Sequence, residues 1–374
     1  MNSINKKIFI LGFTLLTLVS CKPKQKKQIK RSGFKQIKLE YAEKFKIEKK
    51  QDTTLLTINT SKKDGIITES YTLVKEKSPN SSTNTIQVPC KRIICLSSTQ
   101  LAYLIELDDL KDIVAINSSR YLQNKKVLAL LASGKIKHIG KEGNFQLETI
   151  IALNPDVIFV SPFKVGGFDV LRNMNIPLVP LAAYNEKTPL GRAEWVKMMA
   201  LFLGNSHKAD SIFEGTRTRY NKLKALCKNV KTRPSVFSGK MRSGSWYVPG
   251  GNSFYAHYFR DAGAEYVIKD TIEGAYPLDF ETIYQKAANC DFWRIVNPEK
   301  IGITLQGLLS QDARYKDFKA FNNNNIMFCN IREKPYYEEA AVKPDVLLSD
   351  YIYFFHPQLL PNYKPVFYSR MNKN

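Results

Sequence analysis

Two acidic residues sit at matched places in a repeated pattern. Leu147-Glu148-Thr149-Ile150 runs into Asn154-Pro155-Asp156-Val157-Ile158, and Phe280-Glu281-Thr282-Ile283 runs into Asn289-Cys290-Asp291-Phe292. Each Glu falls in the first turn of an expected helix, where the macrodipole favours an acid, and each helix feeds a strand. One such Glu reads as a capping acid; a pair, one in each half of the chain, is more than capping requires. A second group is aromatic and cationic. Arg120, Tyr121, Phe145, Phe163 and Tyr184 lie at expected loops of the first half, and Arg242, Trp246, Tyr247, Tyr276 and Arg332 at those of the second. Rings bury area at small entropic cost and Arg grips carboxylates or catecholates, so together they suit a large, flat, partly anionic ligand. Trp246 is the strongest single candidate, because the polar run Arg242-Ser243-Gly244-Ser245 is an unexpected setting for a core Trp. For each of these residues the plain alternative is packing or a surface loop.

Other chemistries are poorly provided for. His138, His207, His257 and His356 are scattered along the chain, which does not make a zinc or manganese cluster. There is no CxxC pair, Gly-rich phosphate loop or nucleophile elbow, so the expectation is a non-enzymatic protein without a resident metal or cofactor.

The elements that must position these residues form an α/β pattern. In the first half, strands at 92–96, 112–116, 156–160 and 178–181 alternate with helices at 99–107, 146–153 and 169–174. In the second, strands at 235–238, 266–268, 292–296 and 326–329 alternate with helices at 253–262, 280–288, 304–311 and 345–355. Between the halves, residues 190–229 show helical spacing without strand signals, as one long helix or two nearly continuous ones, stopped by Pro234. In parallel α/β lobes ligands bind beyond the carboxyl ends of the strands, which is where the aromatic and basic loops fall. Ahead of this plan, expected strands at 41–45, 54–59 and 70–74 make a β-rich section with a turn at Asp64-Gly65.

The amino terminus has its own signature. Lys6 and Lys7 precede an apolar run at 8–19, and Leu18-Val19-Ser20-Cys21 closes it. That run is too short to span a bilayer as a permanent helix. The Leu-Val-Ser-Cys sequence resembles the lipobox of bacterial lipoproteins, which implies lipidation of Cys21 and durable anchoring through several acyl chains. The expected division is therefore a signal at 1–20, a basic tether at 21–38, the β-rich extension and linker at 39–88, a first lobe at 89–186, an interlobe helix at 187–231 and a second lobe at 232–374. The formal charge is +22, of which residues 22–50 carry +9 and residues 51–374 carry +11. An exported lipoprotein does not meet chromosomal DNA, so nucleic acid is not the expected partner; the surplus reads either as attraction to anionic lipid or an anionic ligand or, equally, as plain Lys-rich compositional drift. After Cys21 there remain Cys90, Cys95, Cys227, Cys290 and Cys329, enough for two disulfides at most.

From about Pro89 onward the chain resembles the periplasmic receptors of ABC importers for iron chelates, haem and cobalamin. The likeness rests on Lys91-Arg92-Ile93-Ile94-Cys95-Leu96-Ser97-Ser98, on His138-Ile139-Gly140 followed by Gln146-Leu147-Glu148 and Leu153-Asn154-Pro155-Asp156, and on the closing segment Tyr336-Tyr337-Glu338 through Lys343-Pro344-Asp345 to Phe355-His356-Pro357. The resemblance implies two Rossmann-like lobes joined by a rigid helix, with one surface Glu per lobe docking on Arg of the permease; Glu148 and Glu281 match those positions. Lys141-Glu142 and the amino-terminal extension depart from the family's pattern. The implied function is that of a monomeric, lipid-anchored receptor at the periplasmic face of a membrane. It would capture a ferric siderophore or haem and deliver it to an ABC permease and its ATPase. A corrinoid receptor of the same family is the alternative, and a surface lipoprotein binding a partner protein is the remaining one.

Overall fold

The computed structural model describes residues 33–62, 65–141, 143–161, 168–299 and 303–372. Cys21, the signal, most of the tether and Phe163 lie outside these residues. Residues 35–374 form one compact unit.

The first lobe is built on a parallel sheet. Its strands, in spatial order, are Leu178–Pro180, Val157–Val160, Ile93–Cys95, Ile113–Ile116 and Lys137–His138. Alternation along these strands sends Ile93, Cys95, Val157 and Phe159 to one buried face and Ile94, Leu96, Ile158 and Val160 to the other. Apolar residues on both faces are what a covered parallel sheet requires. The second lobe has the order Glu265–Tyr266, Ser235–Ser238, Phe292–Asn297, Ile326–Asn330 and Ser369–Arg370, parallel except for the last strand.

The matched sequence repeat is also a matched structural device. The Asp156 carboxylate accepts the backbone N–H groups of Lys91 and Arg92 at 2.6 and 3.0 Å, fixing the start of the strand Ile93–Cys95. Asp291 does the same for the strand Ser235–Ser238, accepting from Ser235 N at 2.8 Å and from Ser235 Oγ at 2.9 Å. Each lobe thus ties its central strand pair together with the Asp that follows its Glu-bearing helix.

Two helices, Pro189–Leu203 and Ser206–Leu226, occupy the interlobe stretch. Gly204 adopts φ +68 between them and ends the first. The first helix is buried on nearly every side, since it lies in the first lobe's core while Leu190 reaches the second lobe's.

The β-rich extension is a five-stranded sheet: Lys35–Ile37, Phe45–Lys50, Thr53–Lys62, Gly65–Val74 and Thr85–Gln87. Its inward residues Phe45, Ile47, Leu56, Ile58, Tyr71 and Leu73 join the first lobe's core, and the Tyr71 hydroxyl donates to Leu178 O at 2.6 Å. Two expectations change here. The strand expected at 41–45 starts only at Phe45, and the last residues of the expected tether form the sheet's edge strand.

Residues 40–44 instead make a turn gripped by two buried carboxylates. Glu194, with no exposed surface, accepts the N–H groups of Glu40, Tyr41 and Ala42 and an ion pair from Lys197. Glu186 accepts from Glu43 N, Lys44 N and Trp195 Nε1 at 2.8–3.0 Å; burial pushes its carboxyl up and these donors oppose the rise. Lys44 and Lys187 both reach Glu273 of the second lobe, so the turn acts as a strap between the first lobe's side and the second lobe. Glu194→Ala leaves three N–H groups and Lys197 without their acceptor. We expect a loss of about 3 kcal/mol in urea unfolding and new tryptic cleavage near Lys44.

Candidate functional site

The two lobes meet along a continuous strip of rings and arginines. Arg192, on the helix Pro189–Leu203, lies 4.1 Å over the Phe254 ring. Phe254 and Tyr255 have ring centroids 4.2 Å apart at the start of the helix Phe254–Asp261. The Tyr255 and Tyr336 hydroxyls are 2.8 Å apart. Tyr336 leads to Tyr337, and the Tyr337 ring meets that of Tyr121 of the first lobe edge-on at 5.5 Å. Arg120 closes the strip, 5.2 Å from the Tyr121 centroid.

Beneath it Arg294 is 5% exposed and pairs with no carboxylate among the described residues. Its guanidinium donates to the hydroxyls of Tyr351, Tyr368, Ser238 and Tyr336 at 2.7–3.0 Å and stacks 4.0 Å over Tyr255. Burial raises the phenol pKa values of Tyr336, Tyr351 and Tyr368, so neutral oxygens surround a permanent cation. Arg294 and Ser238 are cross-strand partners in the central pair of the second sheet, at the point where the strand order reverses. That is where open α/β sheets receive ligands.

The same seam is latched. Glu338, on the short helix Tyr336–Glu339, crosses to the first lobe and accepts Gln123 N at 2.6 Å and Asn124 N at 3.0 Å. Burial raises its carboxyl and those two donors counter it. Gln123 Nε2 donates back to Arg332 O at 2.5 Å. Three buried donors at this seam find no acceptor among the described residues: Arg192 Nε, Arg332 Nε and Asn330 Nδ2. Asn330 is 4% exposed, and its Oδ1 already accepts Arg332 N. Hydrogen-bond acceptors are what these atoms lack.

Of the residues singled out in the sequence, Arg120, Tyr121 and Arg332 converge at the seam. Trp246 does not. It has no exposed surface, donates from Nε1 to Ser238 O at 2.9 Å and packs among Phe237, Trp293, Tyr315 and Phe318. The polar run before it is the hairpin between Met241–Arg242 and Ser245–Pro249, and strand alternation turns Trp246 into the core and Tyr247 outward. Arg242 is exposed on that hairpin, and Tyr276, on the adjoining strand Ala275–Leu278, donates its hydroxyl to Asp270, which also holds Gly251 N and Ile272 N. Phe145 stacks on Phe168 within the first lobe at 6.3 Å. Tyr184 is half-buried beside the strap, its phenol pushed up to about 12 by burial.

Arg192, Phe254, Tyr255, Arg294, Tyr336, Tyr337 and Glu338 were not singled out as ligand residues. Arg294 carried a signal: an Arg inside the apolar run Phe292-Trp293-Arg294-Ile295-Val296 is anomalous in a covered parallel strand.

Glu148 and Glu281 hold equivalent places. Each is exposed in the first turn of its helix, Leu147–Leu153 or Phe280–Ala287. Each helix follows a small antiparallel sheet and leads into a strand of the central pair. Gly140, at φ +83 in the first of these turns, has no room for a Cβ against the Asn144 backbone. Glu281 differs in having a neighbour, Arg314 Nη1, at 3.5 Å, with its side chain still 73% exposed.

The five described cysteines are free and buried. Burial pushes the thiols of Cys90, Cys290 and Cys329 up to about 12, which keeps them protonated. Among the described residues no His/Cys/Asp/Glu group could hold a metal ion, and no helix is long and apolar enough to cross a membrane.

Residues 93–333 match the model of a family described as periplasmic binding protein. An uncharacterized lipoprotein of Methanocaldococcus jannaschii is 31% identical over 300 residues, covering 77% of this chain and 70% of the relative. Solved structures share the fold, among them these two. A periplasmic haem-binding protein from Pseudomonas aeruginosa has a TM-score of 0.60 at 16% identity, over 76% of this chain and 100% of that one. An ABC-type ferric hydroxamate transport protein from Saccharomonospora viridis has a TM-score of 0.58 at 17% identity, over 74% and 97%.

Proposed function

The chain belongs to the periplasmic binding protein family, and we propose that it is the lipid-anchored substrate-binding component of an ABC importer, capturing an anionic metal chelate at the seam between its lobes. The observation that carries this reading is the set of buried donors without acceptors, Arg192 Nε, Arg332 Nε and Asn330 Nδ2, beside a buried Arg294 surrounded by neutral hydroxyls. Positive potential in a desolvated seam attracts carboxylate, hydroxamate or catecholate oxygens. The rings of Tyr121, Phe254, Tyr255 and Tyr337 offer flat walls to the body of such a ligand. The haem and ferric hydroxamate proteins that share the fold make those two chelates the first to offer. Residues 1–20 act as the export signal, Cys21 carries the lipid, and Glu148 and Glu281 dock on the permease.

The test is mass spectrometry and visible absorption of ligand copurified with the acylated protein from its native host. A ferric chelate or haem is expected. An empty protein that also fails to bind any ferric siderophore, haem or corrinoid offered to it would sink the reading.

A further inference from the structure

The second lobe carries a basic surface at the end opposite the seam. Arg233 lies two residues before the strand Ser235–Ser238, whose far end supplies the Ser238 hydroxyl that meets Arg294. Ligand strip and basic surface therefore lie at opposite ends of one strand. Lys222 and Lys224 come from the last turns of the helix Ser206–Leu226, and Lys228, Lys231 and Arg233 from the loop after it. This loop packs on the end of the helix Phe254–Asp261: Cys227 and Val230 border Gly263, and Lys224 pairs with Asp261 at 2.8 Å. Lys222, Lys228, Lys231 and Arg233 are exposed and have no ion pair among the described residues.

Two further features suit a phosphate-bearing surface. A recess of about 280 Å³ is lined by Arg233, Arg260 and Lys269 together with Gly251 and Tyr266, and its single acid, Glu265, is already paired with Lys269 at 2.7 Å. Leu226 is 47% exposed, one turn beyond Lys222 on the same helix face. An apolar side chain ringed by lysines is the pattern of an interfacial contact, in which the chain enters the headgroup layer and the ammonium groups meet phosphates.

We propose that this surface binds the headgroups of anionic phospholipid and parks the protein on its membrane with the seam turned to the aqueous side. Glu281 stands at the start of a helix that ends where the strand Phe292–Asn297 begins, so it lies at the seam end. The basic surface and Glu281 cannot both face the membrane. Parking is then exclusive with docking, and the parked state is the one open to ligand. The exclusivity rests on the docking role proposed for Glu281; the lipid contact itself holds whatever the seam binds.

The test uses the full acylated protein in phosphatidylcholine vesicles with and without phosphatidylglycerol, reading each lysine's labelling by an amine reagent. Phosphatidylglycerol should slow labelling of Lys224 and Lys269 about fivefold, the effect expected of one cation held at an anionic surface, and leave Lys125 and Lys126 of the first lobe unchanged. High salt should abolish the protection. Lys222→Glu with Lys228→Glu and Lys231→Glu should remove it at Lys224 and Lys269, while the tether, identical in both proteins, stays protected. Protection confined to the tether, or equal protection by inorganic phosphate without phosphatidylglycerol, overturns the proposal.

Discussion

In a Glu148→Ala, Glu281→Ala double variant, uptake of the ligand should fall to the level of cells lacking the protein, while the affinity of the purified protein stays within about twofold of wild type. The two carboxylates stand at equivalent exposed positions, one per lobe, each in the first turn of a helix leading into a central strand. Neither touches the ring-and-arginine strip, which leaves binding intact. On the docking role proposed for them, their loss removes two charge-assisted contacts to a cationic partner, and close charge pairs that are net favourable across an interface couple by roughly 1.5–7 kcal/mol. The single variants should differ. Glu281 must exchange its neighbour Arg314 for the partner's cation, and an exposed pair of that kind holds it by under about 1 kcal/mol. Glu148→Ala is therefore expected to be at least as damaging as Glu281→Ala. Uptake of radiolabelled ligand, alongside titration calorimetry, measures both quantities; lost affinity in the double variant would contradict the docking role.

Arg294→Met should damage both stability and binding. The substitution keeps much of the volume but strips donors from the hydroxyls of Tyr336, Tyr351, Tyr368 and Ser238. Part of that loss is recoverable, because Tyr351 and Tyr368 are already 2.9 Å apart and Tyr255 and Tyr336 2.8 Å apart, so each pair can satisfy itself. About 3 kcal/mol of unfolding free energy is the expected cost. Ligand affinity should drop at least tenfold, since the seam loses a permanent charge where water does not screen it. Arg294→Lys keeps the charge with fewer donors and should restore affinity more fully than stability. Equal affinity in the Met variant and wild type would show that the ligand does not sense this charge.

Both expectations rest on residues that differed in how far the sequence announced them. Glu148 and Glu281 were legible because a repeat is visible along the chain and the helix start fixes where its first turn points. Arg120, Tyr121 and Arg332 were legible because loops after parallel strands face one end of the sheet. Trp246 misled: its polar neighbours are a two-stranded hairpin, and alternation within the following strand buries every second residue whatever precedes it. The turn at 40–44 misled for another reason. Its apolar spacing imitates a strand, but five consecutive N–H groups are satisfied by Glu186 and Glu194, about 140 to 150 residues away.

The α/β plan, the two-lobe repeat, the helical connection and the matched places of the two acids are written in local periodicity and in residues whose partners lie within a turn or a strand, which is why they can be read along the chain. What lines the seam emerges only from the folded chain. Tyr255, Arg294 and Tyr336 come from three elements of the second lobe, Arg192 from the interlobe helix and Tyr121 from the first lobe. Their meeting depends on strand order and on the short helix Tyr336–Glu339 crossing between lobes, and side chains that touch only after the chain has folded leave no spacing to read.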